Sequence, residues 1–125
     1  SYGRHGNVCL PLSEFLSSGE SFDEVITIGP LIMMKFVVAE VKPYGIPCTV
    51  SMNPIMIDGT GMCGGCRLTL LQDGKKVTKF ACVDGPDFNA HLIDFDELIN
   101  RCKIYKDEER KRDENCNLLT VANKI

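Results

Sequence analysis

From Asn53 to Cys66 the chain carries one proline, four glycines and two cysteines, and it follows neither the helical nor the strand period. Four glycines within positions 59–65 are hard to explain by packing, because glycine brings no side chain to a core and loses more freedom on ordering than any other residue. A loop is expected here, with the regular elements on either side of it.

Upstream, Leu10, Leu12, Phe15 and Leu16 have helical spacing from Cys9, and Ser17-Ser18-Gly19 supplies a stop. Glu24-Val-Ile-Thr-Ile28 is a β-branched apolar run ended by Gly29-Pro30, which predicts a strand and a tight turn. Leu31 to Lys42 keeps apolar residues on most faces until Pro43, so a largely buried helix should follow, with Pro30 at its first position. After Pro43, Gly45 and Pro47, the run Cys48-Thr-Val-Ser-Met52 predicts a second buried strand. Strand, helix and strand in so short a stretch make a βαβ unit with parallel strands.

Downstream, Arg67–Leu71 and Val77–Ala81 flank Asp73-Gly74, a strong hairpin signal, and predict a small antiparallel sheet over residues 67–82. Phe95, Leu98, Ile99 and Cys102 recur at helical spacing after Asp94 or Asp96, either of which suits an N-cap. From Lys103 to Glu114 five basic and five acidic residues alternate, as on a solvated helix or a tail. The fold class expected is α/β: residues 1–53 holding the βαβ unit, residues 54–102 a small antiparallel domain around the glycine-rich loop, and residues 103–125 a charged helix or tail.

The formal charge of −3 and a pI near 5.3 argue against nucleic-acid or anionic-membrane binding through bulk charge. The longest mostly apolar run, Ile26–Val41, is too short for a bilayer span and is interrupted by Gly29, Pro30, Lys35 and Glu40. Seven cysteines, an odd number clustered in the middle of the chain, do not make a paired disulfide framework. Thiols with a metal or redox role in the cytoplasm are expected instead. Ser1–Asn7 opens no obvious element, and the chain is expected to be a piece of a longer one.

Asp58-Gly-Thr-Gly-Met-Cys63-Gly-Gly-Cys66, followed by Cys82, carries the chemistry. A structural zinc site usually takes two cysteine knuckles, but Gly85 stands where the second knuckle's other cysteine belongs, so zinc would need a carboxylate or a distant thiol. A thioredoxin-type dithiol needs Cys-x-x-Cys at a helix start, whereas residues 67–71 are expected to be strand. Plant-type [2Fe–2S] ligands run Cys-x4-Cys-x2-Cys with a distant fourth. Here Asp58, Cys63, Cys66 and Cys82 are separated by four, two and fifteen residues, the same pattern with a carboxylate in the first place. Glycines at 59, 61, 64 and 65 suit a loop wrapped round a cluster with its N–H groups turned to sulfur. The competing expectation makes Asp58 only a turn residue, with Cys48 or a solvent molecule as the fourth ligand. Cys9, Cys102 and Cys116 have no partner at ligand spacing and are expected to be packing residues or surface thiols.

Phe22–Pro30 with Met33-Met34, Val50–Pro54, Asp58–Cys66 and Phe80-Ala-Cys-Val-Asp-Gly-Pro86 together resemble the ferredoxin–NADP reductase-like electron-transfer subunits. These include the dihydroorotate dehydrogenase electron-transfer subunit and the small subunit of NADH-dependent ferredoxin–NADP oxidoreductase, or sulfide dehydrogenase. The resemblance runs from about Ser1 to Glu109 and corresponds to the C-terminal part of such a subunit: the end of the NAD(P)-binding domain, then the cluster domain. It implies a [2Fe–2S] cluster on Asp58, Cys63, Cys66 and Cys82, and a Gly29-Pro30 loop approaching the nicotinamide side of a flavin. The family often has Cys before this Gly-Pro, where Ile28 stands here. The implied role is one-electron transfer between a flavin reduced by NAD(P)H and a partner redox subunit or a ferredoxin-like acceptor. The flavin barrel and the first phosphate-binding turn have no counterpart in this sequence, so tight FAD or NAD(P)H binding and independent turnover are not expected of it. A zinc-binding interaction module is the competing expectation.

Overall fold

The computed structural model describes residues 3–116. Contacts divide the chain into two units, meeting between Phe95 and Asp96.

The first unit opens with α1 (Cys9–Ser17), where expected, and then β1 (Val25–Thr27), α2 (Leu31–Val41) and β2 (Cys48–Ser51). β1 and β2 are parallel, with Val25 opposite Cys48 and Thr27 opposite Val50. The inner face of α2 places Met34, Val37, Val38 and Val41 in the core, and Val50 of β2 is fully buried with them. The outer face of the helix is apolar but not covered: Ile32 and Phe36 are more than half exposed. Pro30 is the residue before the helix rather than its first residue. Its ψ of 138° is extended, while its carbonyl already accepts the Met34 N–H at 3.1 Å.

The hairpin forms as predicted, from β3 (Arg67–Gln72) and β4 (Lys75–Phe80) in antiparallel register from Arg67–Phe80 to Gln72–Lys75. Asp73 and Gly74 turn it with φ of 51° and 74°, the positive pair that matches the twist of the strands. Leu68 and Leu70 of β3 are buried.

Two elements were not anticipated. The antiparallel sheet does not run to residue 82, because the backbone turns after Phe80 into a four-residue helix, α3 (Ala81–Asp84). A three-residue strand, β5 (Asp87–Asn89), then pairs antiparallel with β2, so the main sheet is mixed, in the order β1-β2-β5. Phe88 of β5 is buried, and the Met52 N–H donates to the Pro86 carbonyl at 2.9 Å. A short turn of 3-10 helix, Ala90–Leu92, leads to Ile93, which bridges to Leu70 of the hairpin.

In the second unit, α4 (Phe95–Cys102) begins directly after Asp94, one of the two expected caps, and α5 (Lys106–Glu114) is a helix with no buried residue. Arg110 pairs with Asp107 at 3.3 Å and Glu114 at 3.8 Å along its surface. Residues 117–125 of the helix or tail expected over 103–125 lie outside the described residues. Among the described residues no helix is long and apolar enough to cross a membrane.

Candidate metal centre

The glycine-rich loop leaves β2 and returns at β3, and its geometry is set by polar contacts rather than burial. Asp58 closes it: Oδ1 accepts the Thr60 N–H at 2.7 Å and the Thr60 hydroxyl at 3.2 Å, and Oδ2 accepts the Cys63 N–H at 2.9 Å. These bonds, the Thr60 N–H foremost, hold the Asp58 carboxyl below the usual range for aspartate. The Asx turn foreseen as one of two roles for Asp58 is therefore present. Cys63 is exposed, and its sulfur accepts the Gly65 N–H at 3.4 Å.

Cys66 is buried at the start of β3, and the hairpin register carries the chain back past it. The Ala81 N–H donates to the Cys66 carbonyl at 3.2 Å, which anchors the start of α3 and presents Cys82, half-buried, beside Cys66. Their sulfurs are 3.2 Å apart. The Cys82 backbone, and then the contact with the Cys82 thiol, draw the Cys66 pKa down, whereas the contact with Cys66 pushes Cys82 up. The Gly61 backbone in the loop acts the other way, lowering the Cys82 pKa.

The structure thus brings Cys66 and Cys82 together and sets Cys63 and Asp58 in the adjoining loop, with the Asp58 oxygens turned onto loop N–H groups. Among the described residues no three His, Cys, Asp or Glu side chains converge as a ready metal cage. The donor chemistry nonetheless fits an iron–sulfur group: three thiols, one accepting a backbone N–H at 3.4 Å and the other two 3.2 Å from each other. The loop is also cut close around them. A Cβ at Gly65 would lie 3.5 Å from the Cys63 sulfur, and one at Gly61 would meet Val83 Cγ2 at 2.9 Å.

Cys48, the other candidate for a fourth ligand, is buried in β2, where burial and then Glu24 raise its pKa. Cys102 is exposed, while Cys9 and Cys116 are half-buried. Gly29 lies between β1 and α2, where a Cβ would run into the Met33 methyl group at 2.5 Å. What the sequence did not disclose is Asp84, whose carboxylate accepts the Phe80 N–H at 2.8 Å and pairs with Lys79 at 3.1 Å. Its place two residues after Cys82 was the only available signal.

Residues 53–94 match the family described as the iron–sulfur cluster binding domain of dihydroorotate dehydrogenase B. An uncharacterised protein from the adh 3′ region of Clostridium beijerinckii is 52% identical over 112 residues, covering 89% of this chain and 36% of that protein. A Thermotoga maritima homologue of the dihydroorotate dehydrogenase B (NAD+) electron-transfer subunit is 49% identical over 89 residues, covering 71% of this chain and 30% of its own length. Among solved structures, a chain of the NADH-dependent reduced ferredoxin–NADP oxidoreductase, studied for flavin-based electron bifurcation, superposes with a TM-score of 0.70 at 44% identity. That match covers 86% of this chain and 38% of the other. The chain therefore spans about a third of the length of these relatives. The matches do not favour a structural zinc module. Residues 53–94 thus match the iron–sulfur cluster binding domain of dihydroorotate dehydrogenase B, in a chain that is similar to the ferredoxin–NADP reductase-like electron-transfer subunits over most of its length.

Proposed function

We propose that the chain transfers electrons through a [2Fe–2S] cluster held by Asp58, Cys63, Cys66 and Cys82, between a flavin/NAD(P)H site and a partner redox protein. The observation that carries this is the Cys66–Cys82 contact of 3.2 Å inside a segment that matches a cluster-binding family. Two thiols sixteen positions apart in sequence are held in contact by the hairpin register and α3. When bound, such a cluster takes and gives one electron at a time, which a two-electron flavin and a one-electron carrier need between them.

Cys66 and Cys82 would hold the group from the buried side, and Cys63 and Asp58 from the exposed loop. For Asp58 this requires exchanging loop N–H bonds for iron, a local change in a segment with no buried residue between 53 and 65. Gly29-Pro30 would lie against the flavin of the complete subunit, with the Met33 methyl group packed where a Cβ at 29 would stand. FAD and NAD(P)H would bind mainly through parts of the subunit that this chain does not contain. Its partners would be a flavin or iron–sulfur subunit and a ferredoxin-like acceptor, in the cytoplasm.

Anaerobic reconstitution with iron and sulfide tests the proposal. Expected are iron and acid-labile sulfide in equal amounts, a reddish-brown colour, and a reduced-state paramagnetic signal. A colourless chain that takes up zinc in preference to iron would overturn it.

A further inference from the structure

The helix that carries Cys82 is too short to persist through its own backbone bonds. α3 has four residues, and Phe80 at its N-cap offers no side-chain acceptor. Three contacts outside the helix hold it instead. Ala81, almost fully buried, ties its start to the Cys66 carbonyl at 3.2 Å. Gly85 fixes its end against Phe88, whose ring leaves no room for a Cβ there. Asp84 joins the two ends, since Oδ2 of the last helical residue accepts the Phe80 N–H at 2.8 Å while Oδ1 accepts the Lys79 ammonium at 3.1 Å. This is the back-reaching half of a capping box, made from the far end of a single turn.

We propose that Asp84 is a positioning residue for the cluster: it clasps α3 closed and so keeps the Cys82 sulfur and backbone N–H beside the Cys66 sulfur. The inference rests on the cluster reading above. Asp84 touches neither sulfur and acts through the backbone. Because Lys79 pairs with the carboxylate, what Asp84 supplies is geometry rather than net charge. Hydrogen bonds to cluster sulfurs raise the reduction potential and slow ligand loss, and partners of this kind typically contribute about 10- to 100-fold in metal affinity.

The test compares the wild-type chain with Asp84→Ala, Asp84→Asn and Lys79→Met. After reconstitution, the measurements are iron per chain, visible circular dichroism, reduction potential and the rate of iron loss to a chelator. Asp84→Ala should lose iron about tenfold faster, with a more negative potential and an altered visible spectrum. Asp84→Asn keeps an oxygen for the Phe80 N–H and should restore both values, and Lys79→Met should stay near wild type. Equal shifts in Asp84→Asn and Asp84→Ala would mean that charge is what matters and would overturn the proposal, as would wild-type behaviour of Asp84→Ala.

If Asp84→Ala does not fold, Asp84→Glu decides. It keeps the charge but is one methylene too long for the clasp, so wild-type potential and iron loss in that variant overturn the proposal. Amide exchange in the cluster-free chain separates this inference from the cluster reading. Phe80 and Cys82 should exchange faster in Asp84→Ala than in wild type or Asp84→Asn. Absence of iron in the wild-type chain would defeat the cluster reading, whereas iron uptake with unchanged exchange at both amides would defeat the role of Asp84 alone.

Discussion

Between Val25 and Met52 the backbone is fixed by what it buries: Met34, Val41 and Val50 have no exposed surface, and two parallel strands lie in register beside the helix that joins them. Between Asn53 and Gly65 no residue is buried, and the chain is held by the Asp58 carboxylate, one N–H to a sulfur, and glycines. The first stretch is specified by apolar surface, which tolerates no large loss of volume but is indifferent to chemistry. The second is specified by donor atoms, where shape has little hold and the identity of one atom decides the outcome. A conservative change should therefore be felt in opposite ways in the two places.

The largest effect should come from single-atom changes at the thiols. Cys63→Ser, Cys66→Ser and Cys82→Ser each replace a soft sulfur by oxygen at nearly constant volume, and each should abolish iron retention after reconstitution. Full iron content in any of the three removes that residue from the ligand set. Cys102→Ser should leave iron content unchanged. Next comes the opposite case, a volume change without chemistry. Met34→Ala should cost about 2–5 kcal/mol in denaturant unfolding of the cluster-free chain, through the cavity it leaves. Met62→Ala, at a side chain 89% exposed in the loop, should fall within about 0.5 kcal/mol of wild type. Similar losses at the two methionines would erase the contrast between the regions.

The same contrast explains what could be read from the sequence. β1, α2, β2 and the hairpin were legible because apolar periodicity and the Asp-Gly turn are local records of burial. α3 and β5 were not, because neither is long enough to write a period. β5 is three residues that become a strand only because β2 has a free edge for Asp87–Asn89, and α3 is one turn closed by Asp84. Cys82 was accordingly assigned to the end of a strand and stands on a helix. Pro30 was misplaced by one residue for a related reason, since its fixed φ suits both the N-cap and the first helical position and only ψ tells them apart. In the loop, spacing singled out Asp58, Cys63, Cys66 and Cys82 as one set. It could not show that the Asp58 oxygens would turn to Thr60 and Cys63, because one carboxylate suits both tasks.

That double capacity sets the third prediction. Asp58→Cys keeps one negative charge and exchanges a hard donor for a softer one, so the cluster should form with an altered visible spectrum and paramagnetic signal. Asp58→Ala removes the donor and should make the cluster labile. Unchanged spectra in the first variant, with unchanged iron content in the second, would leave Asp58 as a turn residue only and send the search for a fourth ligand to Cys48.

The smallest and most discriminating comparison uses two glycines with nearly the same backbone. Gly61 in the loop has φ of 85° and Gly74 in the hairpin turn has φ of 74°, so alanine at either pays a similar left-handed strain, about 1 kcal/mol. Their surroundings differ. A Cβ at Gly74 meets nothing within 4 Å, whereas at Gly61 it would press on Val83 Cγ2 at 2.9 Å. Val83 follows Cys82 on α3, so the displacement is passed to the helix that carries the thiol. Gly74→Ala should therefore lower stability by about 1 kcal/mol and leave iron retention intact. Gly61→Ala should lower stability by a similar amount and also speed iron loss to a chelator. Adding Val83→Ala should restore retention in Gly61→Ala without restoring the strain cost. If the double variant loses iron as fast as Gly61→Ala, contact with Val83 is not how the loop acts on Cys82.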